Sequence, residues 1–371
     1  MCNLRHYIIK GFWVALLIGI MIMGCSDDDT PAGPSGTWEW SALGDGVNDR
    51  VFSLVEYDGN LIVGGYFTTA GGVAANNIAA WDGTDWSAMG SGMNDEVAAL
   101  AVYDNKLFAG GTFGTANGVS AHTIASYDGS VWSALGDGTN GRIYALLVYD
   151  NKLVVGGDFD QAGGQDANNI AEWDGSAWSA LGNGTDGPVH ALAEYNGKLY
   201  AGGHFEHAGG VIAYSVAGWY NNTWMPLVAS FDDTLTVFAL LGQTDRMYVG
   251  GKFAEVGDHD ANNIAVYRNS YWQDLGTLAE DRQVKCIYEF NGEVIVGGYN
   301  KNLSALDYTD YIAAYDGAEW HALGTGIDGD YYPHIWTCYE YNGSLIAGGR
   351  FDIAGTDSAA NIAAWSFVPD K

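Results

Sequence analysis

The chain has 371 residues and 48% of them are apolar, which excludes collagen-like and disordered classes and allows one large or two average domains. Lys and Arg number 15 against 45 Asp and Glu, a formal net charge of −30. Such a field repels phosphate backbones and anionic head groups, so nucleic acid is excluded as a partner and a self-solubilising surface is expected.

Arg5, His6 and Lys10 give a basic start, and Gly11 to Met23 is an uninterrupted apolar run. The run is too short for a relaxed membrane span but suits the apolar part of a secretory signal. It ends Ile22-Met23-Gly24-Cys25, which resembles the bacterial lipobox. That resemblance implies a lipoprotein signal peptide over residues 1–24 and acylation of the Cys25 thiol. A transmembrane anchor without lipid is the alternative. Residues 25–36 then read as the lipidated cysteine and a flexible tether, through Ser26-Asp27-Asp28-Asp29 and the Pro/Gly-rich stretch from Thr30 to Gly36. The acidic run is similar to the export signal of Bacteroidota-type lipoproteins, against the plainer reading of a solvated charge run. A lipid-anchored protein of the outer membrane, exposed at the cell surface, is expected.

From Thr37 onward the chain repeats itself. Trp40, Trp86, Trp132, Trp178, Trp224, Trp272 and Trp320 each open a segment like Trp-Ser-Ala-Leu-Gly, at intervals of 46, 46, 46, 46, 48 and 48 residues. One repeat contains four short segments rich in β-branched and aromatic residues, separated by Gly, Asp and Asn. This is the pattern of four strands, not of a helical solenoid. Turns such as Asp58-Gly59, Asn196-Gly197 and Asn342-Gly343 suit tight hairpins. Seven first strands begin at Val51, Val97, Ile143, Val189, Val237, Val284 and Ile335. The seventh repeat has no fourth strand after Ile362-Ala363-Ala364-Trp365, and Thr37 to Leu43 supplies one. The spacing therefore predicts an all-β, seven-bladed β-propeller over residues 37–371, its four-stranded antiparallel blades closed into a ring by the N-terminal strand. The third residue of each first strand is small (Ser53, Ala99, Ala145, Ala191, Ala239, Cys286, Thr337), as crowding near an axis requires. The tryptophans are expected in the core between diverging blades.

A double glycine followed by Ile-Ala-x-Trp/Tyr-Asp-Gly-x-x-Trp-x-x-Leu, as in Gly110-Gly111 with Tyr127-Asp128 and Trp132, resembles the kelch repeat. The likeness covers residues 37–365 and is shared with a fungal cortical-marker propeller family. It implies a propeller and is nearly silent on function, since kelch propellers include protein-binding scaffolds and a copper-radical oxidase. The oxidase's Tyr–Cys crosslink with His ligands has no counterpart here. The Asp-Gly-x-x-Trp turn is similar to the Asp-box of sialidases but lacks one residue, and the sialidase arginine trio is missing.

Tight turns occupy one face of such a fold and longer loops the other, where function is expected. The residue after each double glycine varies while its neighbours repeat: Tyr66, Thr112, Asp158, His204, Lys252, Tyr299 and Arg350. These seven are expected around the channel mouth, against the plainer reading of drift at an exposed strand end. The divergent loops from Lys301 to Tyr311 and from Gly324 to His334 offer Tyr308, Tyr311, Tyr331 and Tyr332 beside Asp307, Asp310, Asp328 and Asp330. Tyrosines with carboxylates suit sugars. The aspartates are alternatively Ca²⁺ ligands, although their spacing matches no EF-hand, and no other cofactor is expected. His190, His204 and His207 share one repeat as a candidate metal cluster, and Cys286 and Cys338 are read as buried free thiols with a disulfide as the rival. The expected function is a non-catalytic, monomeric surface protein that binds an extracellular glycan or protein. The alternatives are an enzyme acting on extracellular polysaccharide, through Asp158, His204 and Arg350, or a structural envelope component.

Overall fold

Alternating apolar residues broken every few positions by Gly, Asp or Asn leave the chain one economical solution, short antiparallel strands. The computed structural model describes residues 35–227, 236–257, 259–275, 283–299, 311–330 and 332–370. Residues 1–34, with the expected signal peptide and Cys25, lie outside them. In the first repeat, Val51–Tyr57, Asn60–Gly65, Ile78–Trp81 and Trp86–Ala88 pair in chain order as an antiparallel sheet. Asp58 and Gly59 join the first two strands with φ of 51° and 74°, the doubly positive geometry that tight hairpins favour. Seven four-stranded sheets of this propeller-like type recur among the described residues, and no element there is helical.

The last sheet is built from both ends of the repeat region. Strands His334–Tyr341, Ser344–Arg350 and Ile362–Pro369 take Gly36–Ala42 as their fourth, with Gly36 opposite Pro369 and Trp40 opposite Trp365. The strand starts at Gly36, one residue before the expected boundary. First strands of successive repeats pack side by side, and that of repeat one also packs against that of repeat seven.

Each contact between repeats has a residue-level cause. An added Cβ at Gly64 would stand 2.6 Å from Val97 Cγ1 of the next repeat, so glycine lets the neighbouring first strand approach. The rim tryptophans reach backwards: Trp86 Nε1 donates to the Leu43 carbonyl at 2.9 Å, and Trp224 Nε1 to that of Leu181 at 2.8 Å. Their rings are mostly buried, Trp132 at 2% exposure, so they fill core and offer no platform to a ligand. The repeat pattern gives no hint of a third connection. Asn77, at φ 64°, accepts from Phe67 N–H through Oδ1 and donates through Nδ2 to the Met93 carbonyl of the next repeat. Asn361 does the same between repeats seven and one, donating to the Val47 carbonyl at 2.8 Å.

The longer loops are pinned. Thr69–Ala70 and Val73–Ala74 form a small hairpin, Val47 bridges to Ala70, and Asn48 Oδ1 accepts from the N–H groups of Thr68 and Thr69. Cys286 and Cys338 are buried free thiols with sulfurs 3.5 Å apart. No helix of the described residues is long and apolar enough to cross a membrane.

Candidate functional site

Near the start of every first strand the register to the second strand slips by one residue. The extra residues are Phe52, Ala98, Tyr144, His190, Phe238, Lys285 and Trp336, and all seven are half-buried. The double glycine makes this possible: a Cβ on Gly65 would overlap the carbonyl oxygen of Arg50, whose strand folds over it at the bulge. A bulge re-aims the side chain it inserts and is common beside functional sites.

Neighbouring members of this row touch. Tyr144 and His190 have ring centres 4.5 Å apart, His190 and Phe238 5.4 Å, and Phe52 and Trp336 5.0 Å at 72°. The Lys285 ammonium lies 3.1 Å from the Phe238 ring centre, a cation–π contact. Ala98 is the one small member.

One step further toward the long loops stand the seven positions after the double glycines. Asp158 is opposite Arg142, Lys252 opposite Thr236, Tyr299 opposite Gln283 and Arg350 opposite His334. Tyr66, Thr112 and His204 donate their backbone N–H to the carbonyls of Arg50, Glu96 and Pro188. All seven therefore occupy equivalent places at one end of the first two strands. Thr112 and Tyr299 are half-buried and the other five are exposed. Tyr299 stacks on His334 at 4.5 Å, and His334 on Trp336 at 5.0 Å and 10°. Tyr332, 71% exposed, extends the same series 6.4 Å from Tyr299. The result is a continuous aromatic track from Tyr332 to Phe52.

Cations stand beside the ring of strand ends and the bulged row. The Arg50 guanidinium lies 5.3 Å from the Tyr66 ring centre and pairs with Asp49. Arg142 lies 4.9 Å from the Tyr144 ring centre and is ion-paired with Glu96, whose pKa burial nevertheless holds above the usual carboxylate value. Burial, reinforced by Lys285, His204 and Arg142, drives His190 down to about 4. Burial likewise lowers Lys285 to about 8, with Lys252 adding repulsion. His334 is lowered by burial, against its bond to the Tyr332 carbonyl, with Lys285, Arg350 and Arg50 contributing.

A pH dependence follows. His190 titrates at about 4 when folded against the ordinary histidine value of 6.5 when unfolded, so the unfolded chain takes up the proton first and stability falls as pH drops through that window. Between pH 7 and 4.5 the loss should be on the order of 2 kcal/mol. Urea unfolding of the parent and of His190→Leu checks it, the variant showing a flatter limb. An equal slope in both would refute the assignment. The turn carboxylates of Asp82, Asp128, Asp174 and Asp316, held low by backbone N–H bonds, act at more acid pH, below the ordinary aspartate value of 3.8.

Other expected residues fare differently. Tyr311 is 7% exposed and packs in the core, apart from the exposed strand ends. It takes the backbone place that Asn77 and Asn361 hold elsewhere, its carbonyl accepting from Gly298 N–H, and so its ring points inward. Tyr308, Tyr331, Asp307 and Asp310 lie outside the described residues. His207 bonds Asp186 at 2.7 Å while His190 packs between Tyr144 and Phe238, so the three histidines do not converge. Among the described residues no three His, Cys, Asp or Glu side chains form a metal-binding group.

A family model for a β-propeller domain of unknown function (DUF5122) matches residues 58–79 and 150–172. No curated protein matches. Among solved structures, the chain is similar to the extracellular domain of BT4673 from B. thetaiotaomicron, described as a hybrid two-component system. The TM-score is 0.59 at 10% identity, over 90% of this chain and 40% of that one. The WD40 β-propeller domain of Doa1 gives 0.57 at 14% identity, over 90% and 98% of the two chains. The computationally designed Ika8 gives 0.53 at 16%, over 87% and 98%. The chain thus spans less than half of the BT4673 chain. At these identities the likeness is one of fold, and kelch remains a resemblance of the repeat pattern.

Proposed function

We propose that the chain is a lipid-anchored surface protein whose seven sheets close into one seven-bladed ring, and that it binds an extracellular glycan at the long-loop end of its central channel. Ring closure draws support from the pairing of Gly36–Ala42 with Ile362–Pro369 and from the packing of the first repeat on the seventh. The surface location rests on the leader and the Cys25 motif. The observation that carries the binding role is the aromatic track from Tyr332 through Tyr299, His334 and Trp336 to Phe52. Partly exposed ring faces on a rigid scaffold stack against sugar rings, and bordering polar groups fix orientation.

A glycan array and a pull-down with the detergent-solubilised full chain, with and without Ca²⁺, test this. Trp336→Leu should weaken the array hit by about tenfold or more, as loss of an aromatic anchor does. Silence in both screens would sink the binding role, and a hit indifferent to Trp336 would move the site elsewhere.

A further inference from the structure

Resting on that reading, we propose that the ligand is an anionic saccharide, one bearing carboxylate or sulfate groups, seated with its charge toward Lys285. The chain carries 15 Lys and Arg in total against a net charge of −30. Yet Arg50, Arg142, Lys252, Lys285 and Arg350 gather at the same end of the first and second strands, from repeats one, three, five, six and seven. The other five Lys and Arg of the described residues, Lys106, Lys152, Lys198, Arg246 and Arg268, stand at the tight-turn end, so what sets the long-loop end apart is the surroundings of Lys285 and not the number of cations.

The group acts on shared space. His190 feels Arg142 and Lys285, which belong to different repeats, and His334 feels Lys285, Arg350 and Arg50. Carboxylates answer part of the charge: Glu96 pairs with Arg142, Asp49 with Arg50, and Asp158 stands opposite Arg142. Asp49 and Asp352 line a recess of about 290 Å³ with Arg350. Lys252, Lys285 and Arg350 form no ion pair with a carboxylate of the described residues, and of these three Lys285 alone is half-buried, its ammonium resting on the Phe238 ring. A half-buried ammonium on an aromatic face, short of counter-charge, is a place for a ligand anion. The flanking rings select the class. Stacking needs a rigid ring face, which a sugar has and an acidic peptide lacks.

Calorimetry on the full chain in detergent decides it, with oligogalacturonate as the carboxylate arm, heparin-derived oligosaccharide as the sulfate arm, malto-oligosaccharide of equal length as the neutral arm, and poly-glutamate as the peptide arm. At least one charged saccharide should bind about tenfold or more tightly than the neutral one, and Lys285→Met should remove about that factor, the scale of one charge-assisted contact. Lys106→Met, the same charge change beside the opposite, tight-turn end, should leave affinity intact. Lys285→Met should also fold at least as stably as the parent, because burial opposes the ammonium, so lost binding is not lost structure. Equal binding of neutral and charged saccharides, or an unaffected Lys285→Met, would overturn the anionic ligand while leaving glycan binding in place. Poly-glutamate binding without any saccharide, or silence in every arm, would overturn both.

Discussion

Gly65→Ala should cost about 3 kcal/mol or more of unfolding free energy, at the upper end of overpacking substitutions. The new Cβ would overlap the Arg50 carbonyl oxygen, and Phe67 Cδ1 stands 3.0 Å away. A flexible side chain relaxes such a clash cheaply, but a backbone carbonyl does not. Arg50 O is already engaged, accepting from Tyr66 N–H at 2.9 Å, so moving it breaks a bond and straightens the bulge at Phe52. Gly114→Ala is the control. Its nearest neighbour is Asn94 Nδ2 at 3.9 Å and its φ is not in the left-handed region, so it should be close to neutral. Urea denaturation of the two variants reads the difference. A Gly65→Ala protein as stable as Gly114→Ala would mean that the double glycine is not what admits the bulge. Because Phe52 belongs to the aromatic track, Gly65→Ala should also weaken glycan binding in whatever fraction remains folded.

Much of the fold was legible because its signals recur. One Trp-x-x-Leu-Gly segment is an accident, but seven tryptophans at near-constant spacing, five of them followed by x-x-Leu-Gly, require a repeated unit, and a missing fourth strand in the last unit called for Thr37 to Leu43. The site was half legible. Variation at Tyr66, Asp158, Lys252 and Arg350 against a constant background pointed to strand ends that the structure brings to one side of the sheets. The bulged row was missed for a geometric reason. Strict alternation assigns the second residue of a first strand by period two, whereas the inserted residue breaks that period and turns out of the sheet. The signal was present nonetheless: Phe52, Ala98, Tyr144, His190, Phe238, Lys285 and Trp336 vary as freely as the positions that were singled out.

Polar residues at loop ends carry structure as well. Asn77 and Asn361 follow loops, and their side chains bond backbone groups of two repeats while the residues hold a left-handed φ. Tyr311 inherits that backbone place, at φ 64°, and its ring goes to the core although its loop diverges in sequence. Loop divergence therefore marked where the architecture repacks as well as where a surface opens. Only the bonding pattern of the backbone separates the two cases.

Trp40→Ala should cost about 3–5 kcal/mol, the range for truncating a buried aromatic, and it should fail in a particular place. Trp40 is 5% exposed, donates through Nε1 to the Leu323 carbonyl at 2.8 Å, and lies 5.3 Å from the Trp365 ring centre. Trp224 occupies the same place in repeat four, 6% exposed and bonded to the Leu181 carbonyl at 2.8 Å. Their local contacts match, so the two alanine variants should lose similar free energy if each acts within its own sheet. They differ in what their strands connect. Trp224 sits on a strand joined by a tight turn to its partner, whereas Gly36–Ala42 is held to Ile362–Pro369 by pairing across the length of the chain. Loss of Trp40 should thus free the terminal strand before global unfolding, exposing the edge of Ile362–Pro369 to solvent. Hydrogen exchange should show early loss of protection at residues 362–369 in Trp40→Ala, with Trp224→Ala keeping it until the whole molecule unfolds. Identical exchange in the two variants would mean that the terminal strand is an ordinary edge and that what joins the last repeat to the first lies elsewhere, in the Asn361 bridge to Val47.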